Sequence, residues 1–266
     1  MTLRLTILGC GSSAGVPRVG VGWGACDPTN PKNRRRRCSV LVERTGRDGA
    51  VTTVLVDTGP DVRDQLLGAD VRRLDAVLYT HEHADHIHGI DDLRPLAIVQ
   101  RQRIPAYADR MTSELLMMRF GYCFETPAGS SYPPILKMHH LKPGVMTSVP
   151  GPGGAIDAVP FRMAHGDIDA LGFRFGSIGY APDVSQVPEE SLRYLEGLDV
   201  LILDALRYTP HPTHFSVSEA LDLIERVKPE RAILTNLHTD LDYETLRSKL
   251  PPHIEPAYDG LQVEAL

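Results

Sequence analysis

Four histidines and two carboxylates crowd into eight positions of the segment YTHEHADHIHG (79–89): His81, Glu82, His83, Asp85, His86 and His88. Imidazoles this close repel one another once protonated. A fold can hold them together only around something that favours their neutral form, and a divalent transition metal does so. The cluster directly follows LDAVLYT (74–80), a short apolar run that reads as a buried strand. It therefore occupies a loop at a strand's carboxyl end, where chains commonly build sites. Residues two apart do not share a helix face, whereas alternate residues of an extended turn converge. His81 and His83 can then hold one ion, and Asp85 and His86 can swing to a second. One short segment cannot complete a coordination shell, so the fold must bring other strand ends to the same place.

The remaining pattern supplies such ends. LRLTILG (3–9), CSVLVER (38–44) and AVTTVLVDTG (50–59) read as strands, the last two joined as a hairpin through TGRDG. A helix is expected to start within the histidine cluster and run through IDDLRPLAI, with Pro95 near its end or kinking it, and SELLMMRFG (113–121) to be a helix stopped by glycine. Residues 125–155 are rich in proline and glycine and read as long loops. Strands resume at IDAVPFRM, LGFRFG and SIGYAP, followed by a helix at VPEESLRYLEG and the strand DVLILDA. SVSEALDLIERVKP is an amphipathic helix with a capping box at Ser216 and Glu219. RAILTNLH, a helix at YETLRSKL and a closing strand LQVEAL complete the chain. Both halves run from strands into strand–loop–helix, which implies two packed sheets with helices outside, the 266 residues forming one domain.

Three of the later strand ends carry metal-binding side chains: His165 in MAHGD, Asp183 in GYAPDVS and His238 in LTNLHTD. Each follows an apolar run and precedes a turn. Taken with the first cluster they point to a metal centre. His139, His140, His211 and His253 have no such context and read as surface residues, while Glu82 and His88 read as spare polar groups. The turn GCGSSAG departs from dinucleotide-binding spacing and reads as a tight turn near the site, with Ser12 and Ser13 in reach of substrate.

The opening ILGCGSSAGVP, the strand end LVDTG, the THEHADH signature and then His165, Asp183 and His238 in that order resemble the metallo-β-lactamase-fold hydrolase superfamily over nearly the whole chain. The resemblance implies an α/β four-layer αββα sandwich. It implies two divalent ions, with His81, His83 and His165 on one, Asp85, His86 and His238 on the other, and Asp183 bridging. GVP after the first strand, Asp183 rather than cysteine at the bridging position and HFSVSEAL are similar to the phosphodiesterase branch, which includes phosphoribosyl cyclic phosphate phosphodiesterase-like and ribonuclease Z-like members. His214 corresponds to that branch's additional histidine, and Asp85 and His214 are the candidate catalytic residues. Two ions about 3.5–4 Å apart acidify a shared water and clamp the oxygens of an in-line displacement. The donors are all N or O, which suits zinc or manganese and also admits iron. A leaving alkoxide needs a proton, and His214 is the expected donor. Asp57 in LVDTG is expected to anchor a ligand histidine. Where the phosphonate-pathway members carry a zinc-binding cysteine cluster after GVP, this chain has Cys26 alone, so no cysteine-rich zinc is expected.

Charge narrows the substrate. A net charge of −6 offers no global field for nucleic acid or acidic membranes. The one dense basic run, Arg34 to Arg37, reads either as a solvated turn or as a phosphate-facing loop. A small phosphorylated substrate, cyclic or nucleotide-like, is expected, with no long nucleic acid and no membrane as partner; a homodimer is compatible with the pattern. Four widely spaced cysteines without a Cys-x-x-Cys pair suit reduced thiols and a cytoplasmic setting, and no apolar run approaches the roughly 20 residues of a membrane span. Two rival readings keep the fold: a thioester or acyl hydrolase of the glyoxalase II type, and a non-hydrolytic ligand-binding protein resembling a quinone-cofactor biosynthesis member.

Overall fold

The computed structural model describes residues 2–265. The first half lays down β1 (Thr2–Gly9), β2 (Ser39–Thr45), β3 (Val51–Val56), α1 (Val62–Gly68), β4 (Ala76–Leu78), α2 (Ala84–Ile87), α3 (Arg94–Gln100), β5 (Ile104–Ala108), α4 (Arg110–Phe124) and β6 (Leu136–His140). The second half comprises β7 (Thr147–Val149), β8 (Ile156–His165), β9 (Ile168–Phe175), β10 (Ile178–Ala181), α5 (Glu189–Leu192), β11 (Val200–Asp204), α6 (Val217–Val227), β12 (Arg231–Thr235), α7 (Tyr243–Arg247), β13 (Ile254–Pro256) and β14 (Gln262–Ala265). They form two seven-stranded sheets, ordered β14-β1-β2-β3-β4-β5-β6 and β13-β12-β11-β10-β9-β8-β7.

Side-chain alternation makes the layers. Leu5, Ile7, Val40, Val42, Val54 and Val56 face the second sheet and meet its Phe173, Phe175, Tyr180 and Ile202. Leu41 and Leu55, one step out of phase, point the other way and pack with Leu66 of α1 and Leu116 of α4. In β11, Ile202 faces inward while Leu201 and Leu203 face outward, against Leu223 and Ile224 of α6. Three apolar seams separate four layers, α–β–β–α, as the sequence implied. Each large aliphatic side chain in them contributes roughly 1.5–3 kcal/mol by leaving water. Helix α6 begins with the expected capping box, Ser216 accepting from the Glu219 amide while the Glu219 carboxylate accepts from the Ser216 amide.

The same topology fixes where a site can form. Strands β3 and β4 run parallel, as do β10, β11 and β12. Strand β8 is antiparallel to β9, which is antiparallel to β10, so β8 shares the direction of β10. The carboxyl ends of β3, β4, β8, β10, β11 and β12 supply, at or just beyond each end, Asp57, His81, His165, Asp183, Asp204 and Asn236.

Several local expectations change. The long helix expected from the histidine cluster breaks into α2, a 3-10 turn over Ile90–Leu93 and α3. Pro95 does not end it; it stands in the first turn of α3, where the missing amide would have had no helical partner. Helix α4 is longer than expected and passes through Gly121 after a break at Phe120. Residues 125–155 are not all loop, because β6 and β7 extend the two sheets there. The helix expected over VPEESLRYLEG shortens to the four residues of α5.

Candidate metal centre

Asp57, at φ +65° just past β3, organises the first cluster. Its carboxylate accepts from the Thr80 amide and from Thr80 Oγ1, each at 2.8 Å, and from His86 Nδ1 at 2.8 Å. It therefore anchors a histidine, as the sequence suggested. Thr80 Oγ1, having given its proton to Asp57, can only accept at the 2.9 Å contact from His81 Nδ1. His165 Nδ1 lies 2.6 Å from the Thr213 carbonyl and must donate to it. Both tautomers are thus fixed, and each ring is left with a lone pair on Nε2. Those two lone pairs converge on His83 Nδ1, at 3.1 Å from His81 and 3.2 Å from His165. One imidazole nitrogen has at most one proton to give, so it cannot satisfy both. A cation can.

The second cluster repeats the problem with opposite signs. His86 donates Nδ1 to Asp57, and its Nε2 faces Asp183 Oδ2 at 3.2 Å and Asp85 Oδ2 at 3.5 Å. Asp183 Oδ2 is buried and makes no hydrogen bond. A lone pair facing two carboxylates calls for positive charge between them. Burial disfavours the charged ring of His86, but Asp183, Asp85 and Asp57 outweigh it and raise its pKa well above the usual histidine range. His81 moves the other way: burial, reinforced by the neighbouring His86, holds it neutral. Burial likewise lowers His165. The neutral rings of His81 and His165 are the form a metal ligand needs, whereas the charge that His86 takes on marks where the carboxylates of Asp183 and Asp85 call for a cation.

Ligand atoms lie within 4.8 Å of one another in three groups: His81, His83 and His165; His81, His86 and Asp183; and His165, Asp183 and His214. The residues present thus fit divalent ions. Asp85 adjoins the second group through His86. His238 stands apart from these groups, half-buried, with Nε2 hydrogen-bonded to Arg18 and Nδ1 3.1 Å from Asp240. His214 occupies the third group instead.

Asp204 and Asn236 were not singled out by the sequence. Asp204 ends β11, fully buried, and its Oδ2 lies 2.7 Å from His214 Nδ1. Burial pushes the Asp204 carboxyl up to about 7 against the pull of His214. His214 is itself raised: burial opposes its charge, but Asp204 and then Asp183 prevail. The pair holds a proton near neutral pH. Its signal was a carboxylate closing an otherwise apolar strand, DVLILDA. Asn236, at φ +60°, donates Nδ2 to Asp183 Oδ1 at 3.0 Å and to the Pro182 carbonyl at 2.8 Å. Asp57 and Asn236 both hold the left-handed backbone that short polar side chains tolerate, a strain typical of sites. His211, read as surface, has its ring 5.3 Å from that of His214. Glu82 is buried rather than spare, and its carbonyl accepts from Arg119.

The arginine run is not a bare solvated turn. Arg35 is fully buried and donates to the carbonyls of His238 at 3.2 Å and Leu241 at 2.6 Å. Arg36 pairs with Asp259 at 3.0 Å and Arg37 with Asp61 at 3.2 Å. Arg34 is exposed and stacks on Trp23. Cys26 is buried beside the Thr239 carbonyl, and no group of metal-binding side chains among the described residues includes a cysteine. Cys26→Ser is expected to leave folding and metal stoichiometry intact by metal analysis; loss of an ion per chain would reveal ligands outside the groups above.

Residues 52–236 match the model of the β-lactamase superfamily domain. The chain is 34% identical to an octanoyltransferase of Porphyromonas gingivalis across 98% of its own length and 51% of that protein's. It is 30% identical to a ribonuclease Z of a Bradyrhizobium species over 55% of the chain and 46% of that enzyme. It thus spans about half the length of the curated relatives it matches. A solved diphosphatase of the PhnP family superposes with a TM-score of 0.88 at 37% identity, covering 100% of this chain and 98% of that one. With the domain match running from β3 to the end of β12 and the His/Asp clusters inside it, the chain belongs to the metallo-β-lactamase-fold superfamily, on its phosphodiesterase branch.

Proposed function

We propose that this metallo-β-lactamase-fold hydrolase is a phosphodiesterase acting on small cyclic or nucleotide-like substrates at a centre of two divalent ions. The observation that favours ester cleavage with a poor leaving group is the Asp204–His214 pair, which carries a proton to the edge of the His165–Asp183 group. In this reading His81, His83 and His165 hold one ion and Asp85, His86 and His238 the other, with Asp183 between them. Zinc or manganese suits these N and O donors, and iron is admissible. Bound there, the ions supply Lewis-acid polarisation of a phosphoryl oxygen and a water acidic enough to attack it.

The chain's own residues do the rest. Asp57 and Thr80 fix the rings of His86 and His81, and the Thr213 carbonyl fixes that of His165. Asn236 steadies Asp183. Asp204 holds His214 by Nδ1, which leaves Nε2 as the nitrogen that protonates the departing alkoxide. The span 1–266 acts as one hydrolase domain, and four unpaired cysteines favour a cytoplasmic setting.

The acyl-transfer name belongs to a protein of which this chain covers 51%. A thiol leaving group needs little help from an acid, so an acyl reading gives the Asp204–His214 pair no task. A substrate panel separates the readings. Bis(p-nitrophenyl) phosphate and a cyclic nucleotide should turn over, and a thioester should not. Precursor tRNA should be processed poorly, because a polynucleotide needs an extended basic surface, whereas Arg36 and Arg37 are neutralised by Asp259 and Asp61. Efficient, salt-sensitive cleavage of precursor tRNA at a defined 3′ position would promote the endonuclease reading instead.

A further inference from the structure

Arg18 differs from the other cations around this site. Arg36 and Arg37 face carboxylates, and Arg35 is buried with its terminal nitrogens on the carbonyls of His238 and Leu241. Arg18 has no carboxylate partner among the described residues; its side chain hydrogen-bonds to His238 Nε2 alone. A guanidinium can only donate, so His238 presents its Nε2 lone pair to Arg18. That is the same lone pair an ion would take in the proposed centre. Arg18 thus reaches the edge of that proposed centre.

The residue is held firmly in place. Residues 18–22 close a small loop through Arg18 N to Gly22 O at 2.9 Å and Gly22 N to Arg18 O at 2.7 Å. Gly20 and Gly22 adopt φ near +80° there, which side chains rarely allow. On one side the loop is tied to the arginine run, with Val16 and Arg35 exchanging amide-to-carbonyl bonds at 2.9 Å. On the other, the Ala25 amide donates to the Thr239 carbonyl at 2.9 Å, next to His238. Val19 and Val21 at the tip are exposed, but Arg18 at the base is half-buried and positioned. A preorganised guanidinium without a carboxylate, touching a proposed ligand, is a built receptor for an oxyanion.

We propose that Arg18 is the substrate-anion clamp of the site: its guanidinium, held beside His238, binds a non-bridging phosphoryl oxygen of the substrate. The inference rests on the phosphodiesterase reading for its substrate and on the observed Arg18–His238 contact for its residue. It makes the site selective for phosphoryl over uncharged acyl groups, because an ester carbonyl gives the guanidinium no charge to pair with.

The test uses the full chain and inorganic phosphate as the probe. In zinc- or manganese-loaded protein, Arg18→Ala and the longer Arg18→Met should weaken phosphate binding, read by titration calorimetry, roughly 10- to 100-fold, the worth of a charge-assisted hydrogen bond. Arg18→Lys, which keeps the charge and loses the fork, should fall between. Phosphate affinity within twofold of the unmodified protein in both neutral variants would overturn the proposal. So would an equal weakening in Arg34→Ala, which would make the effect one of net charge. Turnover of bis(p-nitrophenyl) phosphate by the unmodified protein is measured alongside. Its absence would remove the phosphodiesterase reading, while the phosphate affinities would still decide the role of Arg18.

Discussion

Asp183→Ala is expected to bind fewer divalent ions than the unmodified chain and to lose nearly all phosphodiester hydrolysis. Asp183 is buried beside His86, within ligand distance of His81, His165 and His214 as well. Its Oδ2 has no hydrogen-bond partner, and Asn236 occupies the other oxygen. His86 holds the carboxyl well below the usual range despite burial, which opposes it, so Asp183 is an anion in the folded protein. Its removal leaves the positive charge of an ion without its central neutralising ligand. The loss should exceed the roughly 10- to 100-fold that losing a mere supporting partner of a ligand costs in metal affinity or activity. Asp57→Asn serves as that milder comparison, because Asp57 touches His86 Nδ1 from outside the group. Metal analysis and initial rates on bis(p-nitrophenyl) phosphate read both variants. Metal-free protein that hydrolyses the ester undiminished would remove the metal centre from the account altogether.

How much of this was readable beforehand depended on the range of the determinant. The apolar runs of β1, β2 and β3 are local, and they announced the strands that carry Leu5, Ile7, Val40 and Val42 into the inner seam. The Ser216–Glu219 box is local too, and helix α6 starts where it says. The cluster from His81 to His86 is dense enough to announce a cation by itself. Asp204 was not readable in that way. A lone carboxylate ending an apolar strand becomes a partner of His214 only after β11 and the segment before α6 fold together. Asn236 escaped notice for a similar reason: its task depends on an uncommon backbone angle and on Asp183, 53 residues away in sequence. The partners of the arginine run were equally out of reach, because Arg35 is buried against carbonyls of residues 238 and 241, far away in sequence. The proline in α3 misled by position, since the residue that breaks a helix interior suits a helix start.

His214→Ala is expected to slow cleavage of an alkyl phosphodiester roughly 10²–10⁴-fold, the usual contribution of a positioned general acid. A nitrophenyl ester should suffer far less, because nitrophenolate leaves without a proton. The expectation follows from one hydrogen bond. Asp204 Oδ2 sits 2.7 Å from His214 Nδ1, and with both groups raised the pair keeps its proton where an ordinary histidine would begin to release it. Asp204→Asn keeps the shape of the partner and removes its charge, so it should lower the rate on the alkyl ester in the same selective way but by less. The competing role for His214 is that of a ligand, since it also groups with His165 and Asp183. The two roles differ in what metal analysis reads. An acid can be removed with the ions still in place, and the residual activity on nitrophenyl esters persists. A ligand cannot, and His214→Ala would then lose an ion and both activities together. Equal loss on both substrates with metal retained would instead assign His214 to substrate binding and leave the departing alkoxide to take its proton from water.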